Sequence, residues 1–392
     1  MASKRTKTTV TATAATANAM ASEFSITIPR EMITEILYRL PAQSVGRFRC
    51  VSKDWLSELT SPQFIENHRK TLNRNHLIFV SCNDRSLNLV PLDHHRGTEL
   101  TKCNLKERFF TIFGSCNGLV LVSFRVKGCM NPDSGGYLFK LLVLNPITRE
   151  FIQLPDFGRY KLINVIRKHN ISYGFGYDSL TDEYKLVTIA WRHDLSSDSM
   201  HIRVFSLTSN NTYARVTESL KDYRYIVNSP GVFVNGFLHW FAKKRSDGLG
   251  VILAFNLASE NFNVVPSPDD VDIVANSQCK LVGIGGKLAI VLSNKGQVWL
   301  MNEYGVKDSW NNILIYGQHE FCTLLRPMFS VNKGYILRGP KFPVIRIKQT
   351  LIDDETKKRY YSDNAEFCQN LLLINQDSFT ESLVSPNFSG IN

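Results

Sequence analysis

The sequence predicts an α+β multidomain chain in which a small all-α domain precedes a large all-β, propeller-like domain of about six blades. Three observations lead to this prediction. Apolar residues recur at helical spacing within residues 24–70. Residues 77–385 alternate short apolar strands with Asn, Gly, Ser and Asp turns. These turns recur with a period of about 50 residues, which is typical of a kelch-type propeller blade.

Composition and charge exclude several classes of protein. The 392 residues carry a formal net charge of +11, and 43% of them are apolar, which is ordinary for a chain with a sizeable core. The charge divides into +4 for residues 1–72 and +7 for residues 73–392, so the basic excess is thin over the large domain. We therefore expect no nucleic-acid partner. No run of about 18 uncharged apolar residues occurs, so we expect no membrane association.

Residues 1–23 precede the first helical pattern. Residues 1–22 include 13 Ala or Thr residues and no acidic residue, and they lack the apolar run of a secretory signal. A basic, acid-free segment is also compatible with an organellar transit peptide. We expect a disordered tail, because the residues that follow already have the pattern of a structured domain.

The helical pattern begins after this tail. Ile33, Ile36, Leu37 and Leu40 lie at i, i+3, i+4 and i+7 and form one helix face, which Pro41 ends. Pro29 suits the first turn of this helix. Three further helices are predicted: a second with Val45, Phe48 and Val51, a third with Trp55, Leu56 and Leu59, and a fourth that starts at Ser61-Pro62.

Fewer than about 50 residues make a thin core for four helices, so part of this apolar surface is expected to bind a partner. The pattern alone also allows the helices to dock on the rest of this chain. The segment resembles an F-box, whose pattern is met by Ile28-Pro29-Arg30-Glu31, by 36–41 (ILYRLP), by 47–55 (RFRCVSKDW) and by 64–68 (FIENH). Gly46 departs from the pattern, which usually has a large aliphatic residue there.

The resemblance implies an interface with a Skp-type adaptor, which links to a cullin scaffold. It assigns eight residues to this interface: Ile28, Pro29, Ile36, Leu37, Leu40, Pro41, Val51 and Trp55. Some of these residues must instead hold the core of the module, and the pattern leaves the division between the two roles open.

The β region contains two kinds of hairpin. One has an Asn/Ser/Asp turn between two strands, at 77–90, 142–155, 203–216, 253–266, 298–313 and 371–383. The other has a tight turn, as at Asn117-Gly118 and Asn235-Gly236, because Asn and Gly tolerate positive φ. Two hairpins per period make a four-stranded blade, and such blades stack into a ring. An irregular two-sheet sandwich is the alternative.

A second resemblance covers this region. Residues 114–122 (GSCNGLVLV), 144–155 (LNPITREFIQLP) and 173–187 (YGFGYDSLTDEYKLV) are similar to the opening of the F-box-associated domain of plant F-box proteins. That family includes immune-receptor regulators and pollen determinants of self-incompatibility. The resemblance implies a substrate-recognition subunit of an SCF-type (Skp–cullin–F-box) ubiquitin ligase, working in the cytoplasm and/or nucleus.

Motifs for chemistry are missing from the sequence. The eight cysteines include no C-x-x-C pair, and 114–118 (GSCNG) does not have the serine position of a nucleophile elbow. Asp178 and Asp182 are expected to fix turns. We therefore expect no catalytic residue, no metal and no cofactor in this chain. A propeller enzyme or a nucleic-acid-binding protein with an unrelated helical docking module is the alternative.

Three loops combine basic and aromatic residues, which are common in protein interfaces. They are expected to bind the substrate, an unidentified protein that the charge predicts to be acidic. The residues assigned to this role are Arg159, Tyr160, Lys161, Trp191, Arg192, Lys243, Lys244 and Arg245.

Overall fold

The structure is a computed structural model. It describes residues 28–72, 74–81, 86–91, 101–103, 108–130, 137–154, 169–192, 200–207, 215–216, 220–226, 230–269, 271, 279–292, 297–314, 326–331, 334–339, 342–348 and 373–386.

Four α-helices form the helical module, residues 28–72. They are α1 (Arg30–Arg39), α2 (Ala42–Phe48), α3 (Lys53–Leu59) and α4 (Pro62–Leu72). Ser61 caps α4 as predicted, since its Oγ accepts a hydrogen bond of 3.2 Å from the Phe64 amide. The prediction that Val51 lies on the second helix is wrong, because α2 ends at Phe48 and Val51 lies in the turn that follows.

The remaining described residues form antiparallel sheets. Their strands are β1 (Asn75–Ser81), β2 (Leu87–Pro91), β3 (Thr101–Cys103), β4 (Arg108–Cys116), β5 (Leu119–Met130), β6 (Tyr137–Leu144), β7 (Phe151–Gln153), β8 (His169–Asp178), β9 (Glu183–Arg192), β10 (Met200–Ser206), β11 (Arg215–Val216), β12 (Tyr223–Ile226), β13 (Val232–Val234), β14 (Phe237–Lys244), β15 (Gly250–Asn256), β16 (Phe262–Val265), β17 (Cys279–Ile284), β18 (Lys287–Leu292), β19 (Gln297–Met301), β20 (Trp310–Leu314), β21 (Arg326–Val331), β22 (Gly334–Gly339), β23 (Phe342–Lys348) and β24 (Leu373–Thr380).

Within the described ranges, four sheets have the four strands of a regular blade: β24-β1-β2-β3, β4 to β7, β8 to β11 and β17 to β20. β12 to β16 form a five-stranded sheet, in which β12 and β13 both pair with β14, and β21 to β23 form a three-stranded sheet. The prediction of about six four-stranded blades is therefore corrected to four regular blades and two sheets with other strand numbers. The fold class, a small helical domain before a propeller-like β domain, is confirmed.

The innermost strands contact one another around a ring in the order β24, β4, β8, β13, β17, β21 and back to β24. Five of the six predicted turn-centred hairpins are present as strand pairs. The hairpin predicted at 371–383 is wrong, because residues 373–380 form the single strand β24. Its partner is β1, with Asn75 opposite Thr380, so pairing with a distant strand replaces the local turn.

The hydrophobic core lies between neighbouring sheets. The close packing of two of these sheets explains the glycine at position 174. Trp240 of β14 is fully buried and donates a hydrogen bond of 2.8 Å to Ser172 Oγ of β8. A Cβ on Gly174 would lie 2.7 Å from the Trp240 ring, so the glycine makes room for the indole. Gly174 also forms a parallel bridge with Gly231, which shows that neighbouring innermost strands run in the same direction.

Because the innermost strands run in one direction, their turns to the second strand share one end of the ring. Asn117-Gly118 and Asn235-Gly236 lie at this end, with φ values of 50° and 81° and of 52° and 80°. The pairing of Asn75 with Thr380 places the start of β1 at the same end. Since α4 leads into β1, we call this end the module face and the opposite end the far face.

Candidate functional site

An exposed apolar surface covers part of the helical module. Met32 and Ile36 lie one turn apart on α1 and are 58% and 52% exposed. Val51, in the turn before α3, is 63% exposed. We call the following large exposed side chains of the module the apolar surface: Ile28, Met32, Ile36, Val51 and Leu56. Solvent exposure of this much aliphatic surface on so small a module is typical of a protein-docking site.

The eight residues predicted to bind an adaptor divide by burial. Ile28, Pro29, Ile36 and Val51 are exposed. Leu40, Pro41 and Trp55 are half-buried, and Leu37 is buried in the core of the module.

Met32 and Leu56 belong to the apolar surface but are not among the eight residues that the sequence assigned to an adaptor interface. Met32 precedes Ile36 by four residues, so the helical period could have identified it. Leu56 neighbours Trp55, and only the packing of α3 shows that Leu56 faces outward and Leu59 inward.

Polar contacts connect the two helices that carry the apolar surface. Arg30 of α1 forms an ion pair of 2.7 Å with Glu58 of α3, and the Thr34 hydroxyl donates to the same carboxylate at 3.2 Å. Arg30 is largely exposed, so the pair contributes little to stability. The ion pair and the Thr34 hydrogen bond show that α1 and α3 lie side by side at the apolar surface.

The predicted substrate residues are described in part. Arg159, Tyr160 and Lys161 lie outside the described residues, between β7 and β8. Trp191 and Arg192 are the last residues of β9, and their side chains are also outside the described set. Lys243 and Lys244 are half-buried at the end of β14, and Arg245, which follows them, is exposed.

Topology brings these segments to one end of the ring. Each innermost strand, such as β8, begins at the far face and ends at the module face. Successive strands of a sheet are antiparallel, so the second strand (β9 or β14) and the fourth strand (β7) end at the far face. The sequence alone did not place them together, since the convergence depends on strand direction. The described strand ends that flank the predicted substrate segments therefore lie at the end of the propeller domain opposite the helical module.

The hairpin after β14 has a defined conformation. The Arg245 amide and its Nε donate to the carbonyls of Asp222 and Lys221, at 2.8 and 2.9 Å, which joins the hairpin to the segment before β12. The Lys244 amide donates to the Leu249 carbonyl at 2.8 Å. Leu249 is exposed at this turn, so basic groups and one aliphatic side chain are presented together.

Asp178, one of the two carboxylates singled out in the sequence, has a structural role. Asp178 accepts hydrogen bonds from the Leu180 amide and the Thr181 hydroxyl, at 3.0 and 2.8 Å, which is the turn-fixing role that the sequence predicted. It also forms a buried ion pair of 3.1 Å with Lys185. Burial alone raises the pKa of Asp178, but the hydrogen bonds from Thr181, Leu180 and Lys185 outweigh it and hold that pKa below its ordinary value.

Lys185 extends this group to the neighbouring sheet. Its Nζ contacts Glu260 Oε1 at 3.2 Å and donates to the Leu257 carbonyl at 2.6 Å. Glu260 and Leu257 lie in the turn between β15 and β16, so Lys185 joins two sheets at the module face. Sequence reasoning missed this cluster, because Glu260 is distant in the sequence.

Metal-ligand clusters and reactive thiols were sought among the side chains of the described ranges. Within those ranges, no group of three His, Cys, Asp or Glu side chains is arranged to hold a metal ion. Burial raises the pKa of the Cys116 thiol, which keeps it protonated. Cys50 is exposed in the turn after α2.

These features define a class: a helical protein-docking module attached to one end of a β-propeller. A family model described as "F-box domain" matches residues 27–67, and one described as "F-box associated beta propeller domain" matches residues 68–339. The chain therefore belongs to the F-box proteins with an F-box-associated β-propeller domain. The resemblances found in the sequence are confirmed.

Relatives among known proteins agree with this family. F-box protein CPR1 of Arabidopsis thaliana is 29% identical over 313 residues, which cover 73% of this chain and 72% of that protein. F-box/kelch-repeat protein At3g23880 of the same plant is 27% identical over 343 residues, covering 79% and 84%. Among solved structures, the Pyrococcus horikoshii acylaminoacyl peptidase is similar with a TM-score of 0.38 and 10% identity, over 69% of this chain and 42% of that one. So low a score says nothing about function.

None of the helices that the structure describes is both long enough and apolar enough to span a bilayer.

Proposed function

We propose that this chain is a substrate-recognition subunit of an SCF-type ubiquitin ligase. The observation that carries the proposal is the apolar surface, which is exposed on a module that belongs to the F-box family. The module binds a Skp-type adaptor through this surface, and the adaptor links it to a cullin scaffold. The propeller domain binds a protein substrate, which is then ubiquitinated and degraded.

The chain supplies proximity and no chemistry of its own. Holding the substrate beside the loaded conjugating enzyme raises the effective concentration of its lysines. Such a subunit needs no catalytic residue and no cofactor, and we place it in the cytoplasm and/or nucleus. We assign residues 1–23 to a tail, 24–70 to the F-box and 77–385 to the propeller domain.

We assign substrate binding to the far face. Lys221, Lys243, Lys244 and Arg245 lie there beside Asp222 and Asp247, so the described part of the face has a local basic excess. The segment with Arg159, Tyr160 and Lys161 connects β7 to β8, whose adjoining ends lie at this face, and Trp191 and Arg192 end β9 at the same face. An acidic protein surface complements this charge.

Adaptor binding is tested with a double variant of the apolar surface. Ile36→Glu combined with Val51→Glu introduces two charges at exposed positions, which leaves the module folded but places charges in the interface. We expect affinity for a purified Skp-type adaptor to fall about 1,000-fold, since two interface residues that contribute about 2 kcal/mol each account together for about 4 kcal/mol. Affinity is measured by calorimetry.

The matched control is Leu180→Glu, because Leu180 is 83% exposed but lies on the propeller. It is expected to bind the adaptor as the unaltered chain does. Leu40→Ala combined with Pro41→Ala is also expected to abolish binding, although Leu40 packs in the core of the module and this variant must first be shown to fold. Unchanged affinity in the folded Ile36/Val51 variant contradicts adaptor binding at this surface.

Substrate binding is tested by charge reversal of Lys243, Lys244 and Arg245 to Glu. The chain is purified from plant cells with and without proteasome inhibition, and the co-purifying proteins are compared. We expect the variant to retain the adaptor and cullin and to lose the protein that inhibition stabilises. If the same protein is recovered with the reversed charges, this hairpin is not part of the substrate site.

A further inference from the structure

The helical module does not complete its own core. Leu383, which follows β24, is fully buried in the same cluster as Leu37, Val45, Leu59 and Phe64. Ile147, from the turn between β6 and β7, packs against this cluster as well. Side chains of the propeller domain therefore fill part of the space between the helices.

Glu381 supplies a cap that α2 lacks. Pro41 precedes α2 and its side chain forms no capping hydrogen bond. The Ala42 amide, at the first position of α2, donates instead to Glu381 Oε1. The Glu381 side chain is buried and lies 3.9 Å from His76 Nε2 at the start of β1. A carboxylate at this position also interacts favourably with the helix dipole.

Arg49 makes a third contact between the two domains. Its Nη2 donates to the carbonyls of Leu59 and Leu383, both at 3.1 Å. The first acceptor belongs to α3 and the second to the segment after β24, so one guanidinium holds both. Burial lowers the pKa of Arg49 without removing its charge, because a guanidinium remains protonated in proteins.

The same segment is fixed on the propeller side. Asn145 Nδ2 donates to the carbonyls of Ser382 and Val384, both at 2.9 Å, and its Oδ1 accepts from the Ile147 amide. The Glu381 amide donates to the Arg74 carbonyl at 2.9 Å. Residues 381–384 are thus held by the helices on one side and by the first two sheets on the other. We call these residues the clamp.

We propose that Glu381 and Leu383 are positioning residues for the adaptor-binding surface. They do not belong to that surface, but they hold α2 and α3 in the arrangement that presents it. The clamp also fixes the module on one end of the ring, and so sets where the adaptor sits relative to the far face. This inference rests on the proposed function for its consequence, whereas the contacts that support it are independent of any partner.

The test is hydrogen exchange of the full-length chain, followed by mass spectrometry, in Glu381→Ala and Leu383→Ala. We expect amides in residues 42–59 to exchange at least about tenfold faster in both variants, because each loses a contact that protects this region. Exchange in β14 and β15 stays unchanged. Affinity for a purified Skp-type adaptor is measured on the same samples and is expected to fall about tenfold or more.

Two controls separate positioning from general loss of stability. Leu257→Ala removes an equally buried leucine from a propeller cluster that includes no residue of the module, and it is expected to leave exchange in residues 42–59 unchanged. Glu381→Gln keeps an oxygen acceptor for the Ala42 amide and is expected to restore most of the protection. The inference is overturned if neither Ala variant speeds exchange in residues 42–59, or if Leu257→Ala speeds it equally. Absence of adaptor binding by the unaltered chain contradicts the proposed function alone, since the exchange result is read without an adaptor.

Discussion

Alanine substitutions at Gly118 and Gly236 distinguish the cost of a steric clash from the cost of backbone strain. Both follow an Asn in a tight hairpin turn at the module face, with φ values of 81° and 80°. An alanine is strained in this left-handed conformation at either position, by about 1–2 kcal/mol. A Cβ on Gly118 would lie 2.3 Å from Ser382 Cβ in the clamp, whereas a Cβ on Gly236 would meet nothing within 4 Å.

The two substitutions should therefore differ in cost. Two carbons prefer a separation of about 3.5–4.0 Å, so Gly118→Ala requires a shift of more than about 1 Å in a packed region. Such overpacking costs about 1–3 kcal/mol. We expect Gly236→Ala to lower the free energy of unfolding by about 1–2 kcal/mol and Gly118→Ala by about 2–5 kcal/mol.

Urea unfolding of the full-length chain, followed by tryptophan fluorescence, measures both free energies under one condition. The difference between the variants isolates the contact with Ser382, since their backbone strain is the same. Equal destabilisation by the two substitutions would refute the close approach of the turn to the clamp.

Two further predictions concern buried polar groups at the module face. Lys185→Met leaves Asp178 buried without its cation and is expected to lower the free energy of unfolding in urea by about 3–5 kcal/mol. Lys287→Met, at an exposed site, is the control and should lower it by less than about 0.5 kcal/mol. A loss below about 1 kcal/mol for Lys185→Met contradicts the role of the ion pair. Burial lowers the pKa of His239 to about 4. Its Nδ1 donates a hydrogen bond to the Val232 carbonyl, and its Nε2 accepts one of 2.7 Å from the Tyr304 hydroxyl. The unfolded chain binds a proton below about pH 6.5 and the folded chain does not, so stability should fall by about 3 kcal/mol between pH 6.5 and 4. Urea unfolding at several pH values measures how the free energy of unfolding depends on pH. This dependence should persist in Lys287→Met and shrink in His239→Asn.

Local patterns predicted the fold well where partners are close in sequence. The turn at Asn117-Gly118 was predicted from its two residue types, because their tolerance of positive φ is a local property. The hairpin expected at 371–383 was wrong, since the partner of β24 is β1 at the other end of the domain. No local pattern distinguishes a hairpin turn from a polar stretch of a strand whose partner is distant.

The candidate site shows the same limit. The helical period and the family pattern selected Ile36 and Val51 as interface candidates, and both are exposed, but exposure of Met32 and burial of Leu37 depend on how the helices pack. The basic residues at 243–245 were found from composition, whereas their place at the far face follows from strand direction. Asn145 belonged to a recognised motif, but its bonds to Ser382 and Val384 span more than half of the chain.

The pairing of β1 with β24 has a consequence for the order of folding. The helices of the module are local structures that form early during translation, but Leu383 is translated only after the strands of every sheet. Pairing β1 with β24 closes a loop that contains all the other strands. Closing so long a loop is slow, because the chain loses its conformational entropy before the contacts form. A nascent chain therefore carries a module with an unfilled core until the ring closes. We expect ribosome-bound chains to acquire affinity for the adaptor only when β24 and the residues after it have emerged.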